Sequence, residues 1–151
     1  MVEKKRARAV LALLSQLSTT WSARSAPEDT SISQVWAREN DYARLAGMPS
    51  SVGEYLSLFD ARFRGWSCSG ALPDDKTDVK EANSSRKAGP VTSDTIEREG
   101  AVSANGLVTV FYRLHSDGSN GDRVRNIIHS WIRNGSSWNI ISGMCRSELP
   151  K

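Results

Sequence analysis

The segment that most constrains the fold is 123–145, in which two alternating runs of residues flank Asn134-Gly135. In the first run Ile127, His129 and Trp131 share one face of a predicted strand, because strand side chains alternate with period 2. Asn-Gly favours the two positive φ angles of a type I′ turn, and the second run then returns antiparallel. The segment therefore predicts a β-hairpin that lies centrally in a sheet.

Upstream, residues 32–46 carry apolar side chains at three- and four-residue steps, the pattern of an amphipathic helix. Ser31 and Gln34 match a capping box and predict the helix start. Glu39 falls in the middle of the apolar stripe, where an unpaired carboxylate would cost several kcal/mol. Either Glu39 bonds a tryptophan N–H or a backbone amide and helps to fix the fold, or it is a carboxylate of a binding pocket.

The middle of the chain predicts shorter elements. Ser51 and Glu54 match a second capping box, and a short strand is expected near 63–66. The polar segment 72–89 is typical of a surface connection, with a weak helix over 77–83. The predicted meander after it comprises a strand over 92–102, a turn at Asn105-Gly106, a strand over 107–116 and a turn over 117–121.

Motifs at both ends of this part of the chain resemble one known family. They are His129-Ser130-Trp131, then Trp138-Asn139-Ile140-Ile141-Ser142-Gly143-Met144, and upstream Trp36-x-x-Glu39-x-x-Tyr42 with Glu54-Tyr55-Leu56-Ser57-Leu58-Phe59. These resemble the nuclear transport factor 2-like (SnoaL-like) superfamily. The resemblance implies an α+β fold, in which a curved mixed or antiparallel sheet wraps N-terminal helices into a cone around a pocket. It also implies a homodimer through the outer face of the sheet.

Several side chains are candidates for a site in that cone. Glu39 and His129 could exchange a proton with a bound carbonyl compound, although a lone inward histidine can equally be a satisfied core group. Ketosteroid isomerase shares the fold. Comparison with it puts His129 at a hydrogen-bonding position but Ser67, not a carboxylate, near the base position, so isomerase activity is not predicted. The aromatic residues expected to line a ligand pocket are Trp36, Tyr42, Tyr55, Trp66, Tyr112 and Trp131.

The N-terminus predicts one domain boundary. A basic start, Lys4 to Arg8, precedes the apolar run Ala9 to Leu14 and a small-residue stretch ending at Ala26, which is the order of an export signal. We therefore expect residues 1–25 to be a signal peptide or a disordered tail, and residues 26–151 to form one domain. The expected location is the periplasm, or otherwise the cytoplasm, without membrane insertion after processing, because the run is too short to span a bilayer.

Charge and composition exclude several classes of function. Of the net charge of +3, the first 24 residues carry +4, so the folded part has no basic excess for nucleic acid. The 2 histidines and 2 cysteines, without phosphate-loop or metal-ligand spacing, predict neither a metal nor a cofactor. Cys68 and Cys145 could pair after export or remain buried thiols.

Three functions stay open at this point. The first is a pocket protein that binds a small apolar or aromatic ligand among the aromatic residues. The second is an enzyme of the isomerase, dehydratase or cyclase kind that uses Glu39 and His129. The third is a scaffold that acts mainly through dimerisation, since one fold can serve several functions.

Overall fold

A computed structural model describes residues 29–46, 48–85, 94–117 and 123–148. The predicted signal peptide lies outside the described residues, as do the start of the predicted strand at 92–93 and most of the turn after 117. The helices are α1 (Thr30–Leu45), α2 (Val52–Ser57), preceded by a 3-10 turn (Pro49–Ser51), and α3 (Lys76–Ser84); the strands are β1 (Phe59–Trp66), β2 (Asp74–Asp75), β3 (Asp94–Ala104), β4 (Leu107–Ser116), β5 (Arg123–Asn134) and β6 (Ser137–Ser147).

The six strands form one mixed sheet in the order β2-β1-β6-β5-β4-β3. Strands β1 and β6 pair in parallel and all other neighbours are antiparallel. The hairpin of β5 and β6 lies at the centre of the sheet, as predicted. Helix α1 packs across the inner face of the curved sheet, so the fold is the α+β cone that the sequence predicted.

The two hairpin turns differ from each other. At the β3–β4 turn, Asn105 and Gly106 have φ angles of 51° and 77°, the two positive angles of a type I′ turn. At the β5–β6 turn, Asn134 pairs with Ser137, so the loop is Gly135-Ser136 and, of these residues, only Gly135 has a positive φ, 60°. The type I′ prediction is therefore wrong at this turn, which has the glycine-first pattern of type II′.

The helix caps also depart from the sequence pattern. The N-cap of α1 is Asp29, whereas the sequence pattern predicted Ser31. The Asp29 side chain accepts the backbone N–H of Ser31 at 2.9 Å, and α1 begins at Thr30. Ser51 makes no side-chain cap bond at α2. The capping box lies instead at α3, between Asp75 and Asp78, and this helix is longer than the weak helix predicted over 77–83.

Cys68 and Cys145 form a disulfide bond, with their Cα atoms 4.5 Å apart. The bond joins the loop after β1 to strand β6, and both cysteines are partly exposed. Of the two alternatives that the sequence left open, the structure has the bonded pair. The bond therefore ties the parallel pair of strands together at the end where Trp66 lies.

Candidate functional site

Glu39 lies at the centre of the inner face, on α1, with no exposed surface. Its Oε1 atom accepts the indole N–H of Trp131 at 2.6 Å, and its Oε2 atom accepts the hydroxyl of Tyr112 at 2.8 Å. The Nδ1 atom of His129 lies 3.0 Å from Oε1 and 3.1 Å from Oε2. The apolar helix stripe thus carries a buried carboxylate whose cost of burial is offset by three donors.

The imidazole of His129 is held in one orientation by Glu39. A carboxylate can only accept, so the proton between the two groups is on Nδ1 and the imidazole is a donor to Glu39. The Nε2 atom makes no hydrogen bond to the described residues. On β6, Gly143 leaves room for the ring, since a Cβ there would lie 2.9 Å from Cδ2 of His129. His129 therefore has one nitrogen fixed by the protein and the other still available for a partner.

Tyr112 supports this orientation from β4. Burial, followed by the negative charge of Glu39, raises the pKa of the Tyr112 phenol well above its usual value. The phenol therefore stays protonated and donates to Glu39 throughout the physiological pH range. Its oxygen also lies 3.4 Å from Nδ1 of His129, a longer and weaker contact than the one to Glu39.

Five of the six predicted lining residues lie around this cluster. The ring of Tyr42 lies edge-on to the imidazole of His129, with the ring centroids 4.7 Å apart, and its centroid lies 5.5 Å from that of Tyr55. The ring centroids of Trp36 and Tyr112 are 6.1 Å apart. Because these side chains pack against each other, little of their surface is exposed. The exposed fractions of Trp36, Tyr55, Tyr112 and Trp131 are 4%, 7%, 1% and 0%. Tyr42 is the half-buried member, so it is the aromatic residue beside His129 that is nearest to solvent.

The prediction that Trp66 lines the cone is wrong. Trp66 pairs with Met144 across β1 and β6, and Met144 pairs with Ile128, whose side chain points away from that of His129. Trp66 is accordingly 47% exposed on the outer face. The short strand predicted near 63–66 is eight residues long, and its alternation could not be assigned to a face without the register.

Arg98, which the sequence pattern did not single out, lies on the inner face of the sheet. Arg98 pairs with Tyr112 across β3 and β4, and its guanidinium carbon lies 4.7 Å from the ring centroid of Trp36. A β-bulge at Glu99 shifts the register after Arg98. Because the bulge breaks the simple alternation, the sequence pattern gave no indication of which way Arg98 points.

Asp60 is a second carboxylate that the sequence did not single out. Its Oδ1 atom accepts the backbone N–H and the Nε–H of Arg62 at 2.9 and 2.8 Å, and its Oδ2 atom accepts the amide of Asn134 at 2.7 Å. The hydrogen bonds from the Arg62 side chain, then those from its backbone and from Asn134, hold the pKa of Asp60 well below its usual range. The site joins the start of β1 to the β5–β6 turn.

No group of three metal-ligating side chains lies together within the described residues. None of their helices is both long enough and apolar enough to cross a bilayer.

No family model matches the chain, and no curated protein matches it. Solved structures do. A candidate ketosteroid isomerase from Parabacteroides distasonis is 15% identical, with 84% of this chain and 94% of that chain covered and a TM-score of 0.65. A candidate scytalone dehydratase from Novosphingobium aromaticivorans is 10% identical, with 79% and 85% covered and a TM-score of 0.67.

Other matching structures have different descriptions. A candidate calcium/calmodulin-dependent protein kinase II association domain from Xanthomonas campestris is 13% identical, with 84% and 94% covered and a TM-score of 0.62. Further matches are nuclear transport factor 2-like proteins of unknown function. At these identities the likeness concerns the fold. The chain thus has the nuclear transport factor 2-like cone fold that its motifs predicted.

Proposed function

We propose that the protein binds a small aromatic or apolar molecule that carries one hydrogen-bonding group, and that this group is held by Nε2 of His129. The observation that carries the proposal is the contact of Nδ1 with the buried Glu39, which fixes the imidazole and leaves Nε2 without a partner among the described residues. In this function Glu39 is a positioning residue, because it acts through His129.

The surroundings of His129 suit such a ligand. His129 is only 6% exposed, so a polar group that reaches Nε2 must leave water, and the interaction gains strength in the drier interior. The inner face is closed by aromatic contacts, so a ligand must displace a side chain to enter. Tyr42 is the side chain that a ligand would displace, because it is half-buried and lies against the imidazole.

Binding of 2-naphthol, a neutral aromatic hydroxyl compound, tests the proposal by calorimetric titration. In His129→Asn the asparagine amide can still donate to Glu39 from the position of Nδ1, but nothing replaces Nε2. We expect this variant to fold and to lose binding at least about tenfold, the effect of one hydrogen bond to a charged or polarised group. The matched control is His115→Asn, since His115 is an exposed histidine on β4. Equal affinity of His129→Asn and the unchanged protein would contradict the proposal.

A second candidate function is proton exchange with a bound carbonyl compound, of the isomerase, dehydratase or cyclase type. The observation that favours it is the 3.0 Å contact between His129 and Glu39, a pairing suited to general acid and base chemistry. Some proteins of this fold are described as candidate isomerases and dehydratases. Ser67, expected near the base position of the isomerase, is an exposed residue after β1, so His129 would have to act as the base itself.

Hydrogen exchange separates this candidate from binding alone. In heavy water, a histidine base would take a proton from the carbon next to the carbonyl of 2-tetralone and return deuterium. Exchange measured by NMR should be faster with the protein than without it, and His129→Asn should abolish the acceleration while His115→Asn keeps it. Exchange at the uncatalysed rate would remove the enzymatic candidate but leave the binding proposal intact.

A homodimer through the outer sheet face is also a proposal. Phe111, Ile128, Met144 and Trp66 are aligned across four adjacent strands, and the last three are 37%, 50% and 47% exposed. Such a row is self-complementary, because a two-fold axis beside Ile128 and Met144 would set one end against the other. Light scattering should give the mass of a dimer. Ile128→Lys should give a monomer, whereas Val102→Lys, an exposed position on β3 outside the row, should not.

We also propose export to an oxidising compartment. The bond between Cys68 and Cys145 supports this, because disulfides persist in such compartments and are rare where thiols are kept reduced. Intact-mass measurement of the protein produced in a bacterium should give a chain that begins near Ala26 and lacks two hydrogens at the cysteines. A full-length, reduced chain in the cytoplasm would contradict the proposal.

A further inference from the structure

A concavity of about 350 Å³ lies between α1 and β3, outside the cluster around Glu39. Its lining comes from two residues of α1 and from four consecutive residues of β3 that include the bulge. The volume falls within the range of sites for small organic ligands. The lining residues are Ile32, Trp36, Arg98, Glu99, Gly100 and Ala101.

Arg98 is the cation of this concavity and has no acidic partner among the described residues. Its guanidinium lies over the ring of Trp36, and no carboxylate of the described residues forms an ion pair with it. The two neighbouring acids on β3 are engaged elsewhere, since Glu97 contacts His115 at 2.9 Å and Glu99 contacts Arg113 at 3.1 Å. The wall therefore presents a positive charge that the described part of the chain does not neutralise.

The apolar and charged parts of the concavity are adjacent. Trp36 is buried and its ring lies under the Arg98 guanidinium, so the open apolar surface comes from Ile32, one helical turn earlier on α1, and from Ala101 on β3. An arginine whose guanidinium stacks on an indole can still hold a carboxylate with two parallel N–H donors. The complementary ligand thus has an apolar body and an anionic end.

We propose that this concavity binds small aromatic carboxylic acids, with Arg98, stacked on Trp36, pairing with the carboxylate and with Ile32 and Ala101 packing against the ring. The site is distinct from the one proposed at Nε2 of His129. Trp36 and Tyr112 lie between the two, with ring centroids 6.1 Å apart. Binding of an acid at Arg98 does not require the interior to open.

The test compares 2-naphthoate with 2-naphthamide by calorimetric titration at low salt, because the two compounds share a ring system and differ in charge. The unchanged protein should bind the acid at least about tenfold more tightly than the amide. Arg98→Gln should remove this preference, and Arg98→Lys should keep part of it, since lysine retains the charge but not the planar pair of donors.

A matched control is available in the same chain. Arg133 lies over the ring of Trp138 at 6.0 Å, outside the concavity, so Arg133→Gln removes the same charge from a similar arginine–tryptophan contact. This variant should keep the preference for the acid. Equal affinities for the acid and the amide in the unchanged protein, no binding of the acid, or a preference that survives Arg98→Gln would each overturn the proposal.

Discussion

Two carboxylates are buried against the same sheet, and they are neutralised in different ways. Asp60, 7% exposed at the start of β1, has a full cation beside it in Arg62 and is linked to the β5–β6 turn by Asn134. Glu39, with no exposed surface at the centre of the sheet, has two neutral donors and one imidazole. Asp60 completes its bonds among residues that join two strand ends, which is a structural role.

The two carboxylates differ in whether a residue bonded to them keeps a hydrogen-bonding atom without a partner. Around Asp60 the donors are satisfied once the bonds to Arg62 and Asn134 are made. Around Glu39 the bonds to Tyr112 and Trp131 already use the indole and phenol donors, and the third bond fixes an imidazole whose Nε2 atom has no partner among the described residues. Stability alone does not account for a buried ionisable pair of this kind, because apolar residues in place of the whole pair often stabilise as well or better, whereas removal of one partner is strongly destabilising.

Removal of the central carboxylate should give the largest effect on stability. Glu39→Ala leaves the donors of Tyr112, Trp131 and His129 buried without an acceptor, so we expect the free energy of unfolding to fall by about 3 kcal/mol or more. Urea unfolding followed by circular dichroism measures it. The control is Glu54→Ala, at a glutamate whose side chain is 59% exposed and paired with Arg44, where the change should be below about 0.5 kcal/mol. Similar losses in the two variants would remove the distinction between a central and a peripheral carboxylate.

Asp60→Asn should have a smaller effect, and the effect should depend on pH. Because the pKa of Asp60 is lower in the folded protein than in the unfolded chain, its charge stabilises the fold above the unfolded value of about 4 and this stabilisation is lost as the pH falls further. At neutral pH we expect a loss of about 1 kcal/mol, since the partner Arg62 is largely exposed. Unfolding curves of the two proteins should converge below pH about 4. A difference that stays constant with pH would show that the charge of Asp60 is not involved.

The smallest effect concerns the turn that carries the partner of Asp60. Gly135→Ala places a Cβ at a positive φ, which should cost about 0.8 kcal/mol. Gly100→Ala is the matched control, because a Cβ there meets nothing within 4 Å and no positive φ applies. Thermal unfolding should separate the two variants. Equal melting temperatures would mean that the β5–β6 turn does not depend on glycine.

Local sequence patterns predicted the elements that local chemistry determines. The alternation of Ile127, His129 and Trp131 is a period-2 pattern, and it placed these side chains on the inner face correctly. The turn predicted at Asn134-Gly135 lies one residue later, at Gly135-Ser136. An Asn-Gly pair can also fill the last strand position and the first loop position, as it does here. Asp29 was missed as a cap because Ser31 offered a similar pattern two residues later.

The site depended on contacts between distant parts of the chain. Glu39 and His129 are 90 residues apart in sequence, and the sequence suggested that they could meet. It also offered a tryptophan N–H as a partner of Glu39, which is confirmed, but it did not indicate which tryptophan or that Tyr112 would complete the cluster. Trp66 was assigned to the wrong face, because the pairing of β1 with β6 decides its direction. Register and bulges, which are set by tertiary packing, are the features that the sequence left undetermined.

The central claim is that Glu39 holds Nδ1 of His129 and leaves Nε2 for a ligand. Nitrogen-15 NMR of the histidine side chains, recorded with and without 2-naphthol, tests it most directly because the two ring nitrogens give separate signals. We expect Nδ1 to carry a proton in both states, and the Nε2 signal to move on addition of the ligand. An Nδ1 atom without a proton, or an Nε2 signal that does not move at a saturating concentration of 2-naphthol, would contradict the account.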